Sequence, residues 1–414
     1  MEKQIVDLAS TLDKSNTSHF TATQIRSAAP SLPQLSFSTS LRTCYLDRKY
    51  VRNRQRKMSL EVAMAVRPRS TGIPPCSSSV LSLASARVRT GYKFNKNSSA
   101  NRIPFLKAIR SSQAQASAST VSLKQRRPQN VDGEFFVDHT CIDCDTCRWM
   151  APQIFTRVDE MSAVVKQPTC EEERLKALQA LISCPTSSIR TEKPPSDILN
   201  VQKTFPLPID EQRVPGVYHC GYHSEKSYGA ASYLIVHPEG NILIDSPRFT
   251  ERLASIIEKL GGARYMFLTH KDDIADHERW SKRLKCDRIL HSLEVQDSTA
   301  NVEIKLEGSG PWSLFEDIQL IHTPGHTDGS VCLFYPSHDV LFTGDHLFMT
   351  ESGLAISEKF NFYSVPIQLN NVRLLLDLDF KWVLPGHGRR VEFKDYQEKN
   401  STLEAFLQQK SSQL

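Results

Sequence analysis

Four cysteines are spaced so that their thiolates could meet: Cys141, Cys144 and Cys147 at two-residue steps, and Cys184 followed by Pro185. An iron–sulfur cubane needs a thiolate at each of four corners, and one tight loop can supply three of them. Structural zinc more often draws on two separate Cys-x2-Cys knuckles, because one loop does not easily give three tetrahedral ligands. A disulfide framework is the less common use of such spacing outside secreted chains. The expectation is one [4Fe–4S] cluster on Cys141, Cys144, Cys147 and Cys184. Further along, four short apolar runs each end in a turn that presents His or Asp. They deliver His270, then Gly325-His326, then Gly344-Asp345-His346, then Gly386-His387. Imidazole and carboxylate are ligand types that both zinc and iron accept. The four ends are expected to converge on one metal centre.

The elements that must position these residues are legible as short strands alternating with amphipathic stretches. Residues 232–236 and 241–245 read as strands joined through Pro238-Glu239-Gly240, and 250–260 fits a helix closed by Gly261-Gly262. Residues 265–269, 318–322, 340–342 and 382–384 are the apolar runs that carry the candidate ligands. Strand ends are where an α/β scaffold holds side chains rigidly at one rim. Lys193-Pro194-Pro195, Pro206 and Pro208 read as a spacer ahead of this part.

Residues 135–192 resemble the single-cluster bacterial-type [4Fe–4S] ferredoxins. The likeness rests on Cys141-Ile142-Asp143-Cys144-Asp145-Thr146-Cys147, on Ala151-Pro152-Gln153-Ile154-Phe155, on Ala163-Val164-Val165 and on Cys184-Pro185. It implies a small α+β domain, the four cysteines as ligands, and one-electron transfer. Cys170 has no ligand position in that pattern and is expected to be a bystander.

Residues 215–390 resemble the metallo-β-lactamase superfamily, including its glyoxalase-II-like members. Asp245 matches the strand-end aspartate of the first motif, which orients ligands. His326 matches the histidine of the Gly-His motif, Asp345 the carboxylate that bridges two metals, and His387 the last histidine ligand. The fold implied is a four-layer αβ/βα sandwich with the site at its upper edge. The second motif, H-x-H-x-D-H in the family, departs here: His270-Lys271-Asp272-Asp273-Ile274-Ala275-Asp276-His277. Asp272 takes the place of the second histidine, and the Asp-His pair arrives two residues late. Two residues rotate a helical side chain by about 200°, so Asp276 and His277 reach the metal only over a lengthened loop. Helix capping and first-turn charge are the competing roles for Asp273 and Asp276. The candidate metal set is His270, Asp272, Asp276, His277, His326, Asp345 and His387, with Asp272 and Asp276 as candidate catalytic carboxylates.

The resemblance leaves three functions open. An intact site would bind two zincs and a hydroxide, and the first reading is a metal-dependent hydrolase fused to a ferredoxin module. His270, His326 and Asp345 alone would suit mononuclear non-haem iron, as in persulfide dioxygenases of the superfamily, and Asp272 resembles the carboxylate-containing motif of flavodiiron proteins. The second reading is therefore a redox enzyme with iron fed by the cluster. The third is a non-catalytic electron-transfer or binding protein with a decayed site. A small-molecule substrate and a redox donor or acceptor protein are the expected partners.

Composition adds the domain organisation. The chain has 414 residues, with 51 Lys and Arg against 46 Asp and Glu, but residues 1–130 hold 22 basic and 5 acidic residues. The remainder is acidic, which removes the main reason to propose nucleic-acid binding. No apolar run approaches the ~18 residues that cross a bilayer, so no membrane span is expected. Residues 62–131 contain no Asp or Glu, 12 Lys and Arg and 13 Ser, the composition of an organelle transit peptide. The expected organisation is a disordered leader over 1–130, a ferredoxin-like domain over 131–195 and a metallo-β-lactamase-like domain over 209–410. The expected destination is the chloroplast, ahead of the mitochondrion, with Met58 as the expected functional start.

Overall fold

A computed structural model of the chain describes residues 123–413. The transit-type leader and Met58 therefore lie outside the described residues, except for the stretch from 123 to 130. That stretch departs from expectation because it is built into the fold. Arg127 is 1% exposed, and its guanidinium donates to the carbonyls of Ser162 and Val158. Asn130 donates to the carbonyls of Arg127 and Val137, and its own oxygen accepts from the amides of Val137 and Val164. A basic residue counted with the leader thus serves as an internal donor.

The first part of the described chain pairs β1 (Phe135–Val137) with β4 (Ile189–Thr191) and β2 (Phe155–Val158) with β3 (Met161–Val164), both antiparallel. Helices α1 (Thr146–Met150) and α2 (Glu171–Ser183) lie between these strands in sequence, and α3 (Ile198–Gln202) follows β4. Next come β5 (Leu207–Asp210), β6 (Val214–His219), β7 (Tyr233–Ile235), β8 (Ile242–Ile244), β9 (Tyr265–Phe267), β10 (Asp287–His291) and β11 (Ile304–Leu306). They form a seven-stranded sheet in the order β11-β10-β9-β8-β7-β6-β5. Its β8 to β11 half is parallel. Parallel neighbours require crossovers, supplied by α4 (Glu251–Lys259) and α5 (His277–Leu284).

A six-stranded sheet contains β12 (Trp312–Phe315), β13 (Ile318–His322), β14 (Val331–Tyr335), β15 (Val340–Gly344), β18 (Trp382–Pro385) and β19 (Val391–Glu392), in that order. A hairpin of β16 (Phe348–Thr350) and β17 (Gly353–Ala355), then α6 (Val365–Leu374) and α7 (Tyr396–Ser411), complete the described chain.

Period-two alternation decides which face each strand buries. Tyr233, Ile235, Ile242, Ile244, Val331, Leu333, Tyr335, Val340, Phe342 and Leu384 fill the space between the two sheets. Their alternate neighbours turn outward on either side. Leu234, Leu243, Met266 and Leu290 join Leu253, Ile257 and Trp280 of the helices on the first sheet. Cys332, Phe334, Leu341 and Val383 join Leu369, Val372, Leu403 and Phe406 on the second. The result is helix, sheet, sheet, helix. The core outside the first sheet continues without a break into Phe135, Val164, Ala177 and Leu178 of the cysteine-bearing part. None of the described helices is long and apolar enough to cross a membrane.

Candidate metal centres

The loop that leads into α1 turns sharply at Asp143 and Asp145, both in the left-handed region (φ 59° and 64°). Aspartate tolerates that region better than most side chains. Both carboxylates accept from Arg148, at 2.7 and 2.6 Å, which ties the turn down. Its cysteines then face one pocket with Cys184, walled by Val137 and Ile189. Donors converge on the sulfurs: the amide of Ser162 on Cys141 at 3.4 Å, and the amide of Ser188 on Cys184 at 3.3 Å. The Cys147 and Cys144 thiols donate to the hydroxyls of Ser162 and Thr146 at 3.2 and 3.4 Å, hydroxyls that can turn to donate once the sulfur is a ligated thiolate. Burial pushes the Cys144 thiol up to about 11 and Cys147 well above its ordinary range. Thiolates so buried require the positive charge of bound iron, and the surrounding N–H and O–H donors suit sulfur that carries negative charge. The residues fit a cluster. Cys170 is exposed and does not line the pocket.

The second centre gathers at one rim of the sandwich. Strand β9 ends and delivers His270, β13 leads to His326, β15 to Asp345 and β18 to His387. His270, Asp272 and His326 offer ligand atoms within 4.8 Å of one another, and so do His270, Asp273 and Asp345. The Asp345 carboxylate lies 3.6 Å from His326 Nε2, 4.0 Å from His270 Nε2 and 2.8 Å from His387 Nδ1. Asp272 Oδ2 lies 3.7 Å from His326 Nε2 and 3.9 Å from His270 Nε2. Ligands around one ion at tetrahedral angles, with bonds near 2.1 Å, stand about 3.4 Å apart. Most of these gaps are close to that spacing, whereas the shorter His387–Asp345 contact is a direct hydrogen bond.

Several buried donor and acceptor atoms here lack any partner: His270 Nε2, Asp272 Oδ2, both Asp273 oxygens, His326 Nδ1 and His387 Nε2. A buried polar atom left so is costly unless something satisfies it. A Cβ at Gly386 would fall 2.7 Å from Asp273 Oδ2 and 3.0 Å from Asp345 Oδ1, so only glycine leaves room between those carboxylates.

The electrostatics agree. Burial, with the nearby Asp345 charge, pushes Asp273 well above the usual carboxylate range. Although burial opposes charge on both members of the His387–Asp345 pair, their mutual attraction holds Asp345 below its ordinary value. The same attraction raises His387 to about 10. Burial drops His270 to about 4, so it stands as a neutral imidazole with a lone pair to give. Three carboxylates and three imidazoles gathered at one rim form a set that a metal cation would neutralise and ligate.

Two further carboxylates hold the ligand loops. Asp245 accepts from the Thr269 amide at 2.8 Å and from its hydroxyl at 3.0 Å, fixing the residue before His270. Glu294, 0% exposed, accepts from the amides of Lys271 at 2.8 Å and Gly329 at 2.7 Å. It clamps the loop of His270 to the loop of His326, and sequence reasoning missed it because it sits on no recognisable motif.

Asp276 and His277 are not brought to this centre, which corrects their place among the candidate ligands and that of Asp276 as a catalytic carboxylate. The Asp276 carboxylate accepts from Lys226 Nζ at 2.8 Å and from the Phe249 amide at 2.9 Å. His277 opens α5, and its Nδ1 meets Arg288 at 3.1 Å. Ile274 is the reason: it packs against the apolar core. This anchors the loop with Asp272 and Asp273 on the metal side and the later pair elsewhere. Asp273, assigned to capping or first-turn charge by its position, is a member of the cluster instead.

The loops that carry the two centres touch. Arg389, two residues past His387, pairs with both carboxylate oxygens of Asp145 at 2.6 and 3.0 Å. The Arg390 guanidinium lies 5.1 Å from the centre of the Trp149 ring. At Gly229 a Cβ would fall 3.0 Å from Cys144 Cβ and 3.5 Å from its sulfur, a close approach that glycine permits. Two residues on, the Ala231 amide donates to the Gly386 carbonyl at 2.7 Å.

Residues 137–191 match the family model of the 4Fe-4S single cluster domain of Ferredoxin I, and residues 228–387 match that of the metallo-beta-lactamase superfamily. The chain thus matches a single-cluster ferredoxin model followed by a metallo-β-lactamase model. Its fold class is mixed α/β, and its two large sheets fall mostly within the residues that the metallo-beta-lactamase model matches. Uncharacterized protein ML0493 of Mycobacterium leprae (strain TN) is 30% identical over 166 residues, 39% of this chain and 59% of that protein. The chain thus spans somewhat under two thirds of that relative. Among solved structures, TMB-1 is 17% identical, with 48% of this chain and 96% of that one covered at a TM-score of 0.39. TTHA1623 in a di-iron-bound form is 22% identical, covering 42% and 93%, at a TM-score of 0.33.

Proposed function

We propose that the chain is a redox metalloprotein whose metallo-β-lactamase domain holds non-haem iron and takes electrons from the [4Fe–4S] cluster of the domain before it. The observation that carries this reading is the contact between the loops of the two centres: Cys144 against Gly229, Asp145 against Arg389, and the Ala231–Gly386 hydrogen bond next to His387. A regulatory module would not need a cluster ligand packed on the loop beside the second metal site. The donor set points the same way, because replacing imidazole by carboxylate at Asp272 and adding Asp273 favours harder metals.

When bound, the cluster would supply one-electron transfer and iron would supply the redox chemistry of the second site. The residues of the chain hold that site in place. His270, Asp272 and His326 form one side, Asp273 and His387 the other, and Asp345 stands between them. Asp245 and Glu294 orient the ligand loops. A small-molecule substrate would enter at the rim of the sandwich. A one-electron donor protein would reduce the cluster from outside, and the basic, Ser-rich leader would direct the chain to the chloroplast.

The second reading is a dinuclear zinc hydrolase, favoured by the position of Asp345 between the two ligand groups. Metal analysis of anaerobically purified protein distinguishes the two. Iron in excess of the cluster's own, with an EPR signal that changes when dithionite is added, is the expected result. Zinc in that place, with no excess iron, would sink the redox reading.

A further inference from the structure

Between the two centres lies a buried pair of histidines that neither centre uses as ligands. His219 and His223 are each 1% exposed, with their Nε2 atoms 2.9 Å apart. His223 Nδ1 lies 2.8 Å from the Gly229 carbonyl and 3.1 Å from the Thr146 hydroxyl. The Thr146 hydroxyl in turn lies 3.4 Å from the sulfur of Cys144.

We propose that His223, which belongs to the metallo-β-lactamase side of the contact, is a positioning residue for the cluster: it fixes the Thr146 hydroxyl so that its proton is given to the Cys144 sulfur.

As a thiol, Cys144 donates to the Thr146 hydroxyl; as a cluster-bound thiolate it has no proton to give, and the hydrogen-bond inventory then leaves one arrangement. A carbonyl only accepts, so the proton facing Gly229 sits on His223 Nδ1. Burial drops His223 to about 4 and His219 well below its usual value, so both rings are neutral near pH 7. A neutral His223 with its proton on Nδ1 has a bare Nε2, which accepts from His219 Nε2–H. His219 Nδ1 is then bare, and it is a buried atom with no partner. The shared His223 Nδ1–H also faces the Thr146 oxygen, occupying it as an acceptor. With the sulfur ligated and unprotonated, the remaining direction for the hydroxyl proton is towards Cys144.

Hydrogen bonds to cluster sulfurs are one of the levers on reduction potential, because they stabilise the more negative, reduced state. The domain that is to receive electrons would thereby set the potential of the cluster that delivers them. That purpose rests on the redox reading above, but the tuning itself does not, and it can be measured on the cluster alone.

The experiment is an EPR-monitored redox titration of the full chain and its variants. Thr146→Val and His223→Phe are each expected to lower the potential, with the reduced-to-oxidised ratio at fixed ambient potential falling about threefold or more. Tenfold corresponds to about 59 mV for a one-electron couple. The double variant is expected to fall no further than Thr146→Val alone, because both act through one hydrogen bond. Thr146→Ser, which keeps the hydroxyl, and His223→Asn, which keeps an N–H near the place of Nδ1, are expected to titrate like the native protein. If His223→Phe does not retain its cluster, His223→Asn and Thr146→Val decide. A native potential in Thr146→Val overturns the proposal. So does a lowered potential in Thr146→Val that His223→Phe does not share, or one that falls further in the double variant. Zinc at the second site together with these shifts would overturn the redox reading and leave the tuning intact.

Discussion

Asp273 is the residue on which the second metal centre turns. Its oxygens have no partner, it lies against Asp345 across Gly386, and burial opposes its charge. Asp273→Asn keeps the shape and removes an anionic ligand, so part of the metal is expected to be lost. Asp345→Ala should empty the centre more completely than Asp273→Asn or His387→Ala, because the Asp345 carboxylate lies near His270, His326 and His387 alike. Metal-to-protein ratios after dialysis check this order. At the cluster, Cys184→Ser should bleach most of the broad visible absorption, and Cys170→Ser should leave it largely intact. Equal loss from both would show that the ligands are misassigned.

At this scale the sequence was readable where ligands are local. Cys141, Cys144 and Cys147 sit in one loop, and His326, Asp345 and His387 each follow an apolar run. It was misleading at 272–277, because a motif aligned by spacing does not show that Ile274 must enter the core and turn the loop.

At the scale of elements, the loop from Tyr222 to Ala231 is held by its glycine. Gly229 has a φ of 91°, and a Cβ there would crowd Cys144 and Pro185. Gly229→Ala combines left-handed strain, of order ~1 kcal/mol, with steric pressure on the cluster loop. It is expected to speed cluster loss in air more than it lowers the folded yield, measured by the decay of visible absorption against far-UV circular dichroism.

The join of β10 to β11 rests partly on charge. The Arg288 amide and guanidinium donate to the Glu303 carboxylate at 2.7 to 2.9 Å. Hydrogen bonding to Arg288 draws Glu303 down to about 2 from 4.5. A carboxyl depressed in the folded state stabilises above its unfolded value and loses that contribution as pH falls through its folded value. With the carboxylate 37% exposed, solvent screening keeps the effect below about 1 kcal/mol. Glu303→Gln should therefore lower the urea midpoint at pH 7, and the difference should narrow from pH 4.5 downward. A difference that widened in acid would contradict this account. The strands themselves were legible from alternation alone, but this pairing was not, since charge partners across a parallel step are distant in pattern.

At the scale of the molecule, the spacer anticipated between two independent units does not separate their cores. Phe205, at its end, is 1% exposed and packs edge-on against Tyr222 of the second domain, 5.4 Å between ring centres. The Arg248 guanidinium reaches back to the Ile182 carbonyl of α2 at 3.0 Å. Composition marked a change of character around 193–208, but it carries no information about whether two faces are complementary. The described unit is expected to melt in a single calorimetric transition. Two separated transitions would show that the domains are only tethered.

The unbroken core beneath the first sheet gives oxygen a long reach. Cys147 and Cys184 themselves belong to the same apolar body as Leu234, Leu243 and Met266. Oxidative damage that strips the cluster would loosen the first members of that body and thereby uncover the last. Air would then act on this chain less as a switch of activity than as a determinant of lifetime. The form that has lost its iron would offer cleavable backbone to proteases along the whole outer face of the sheet.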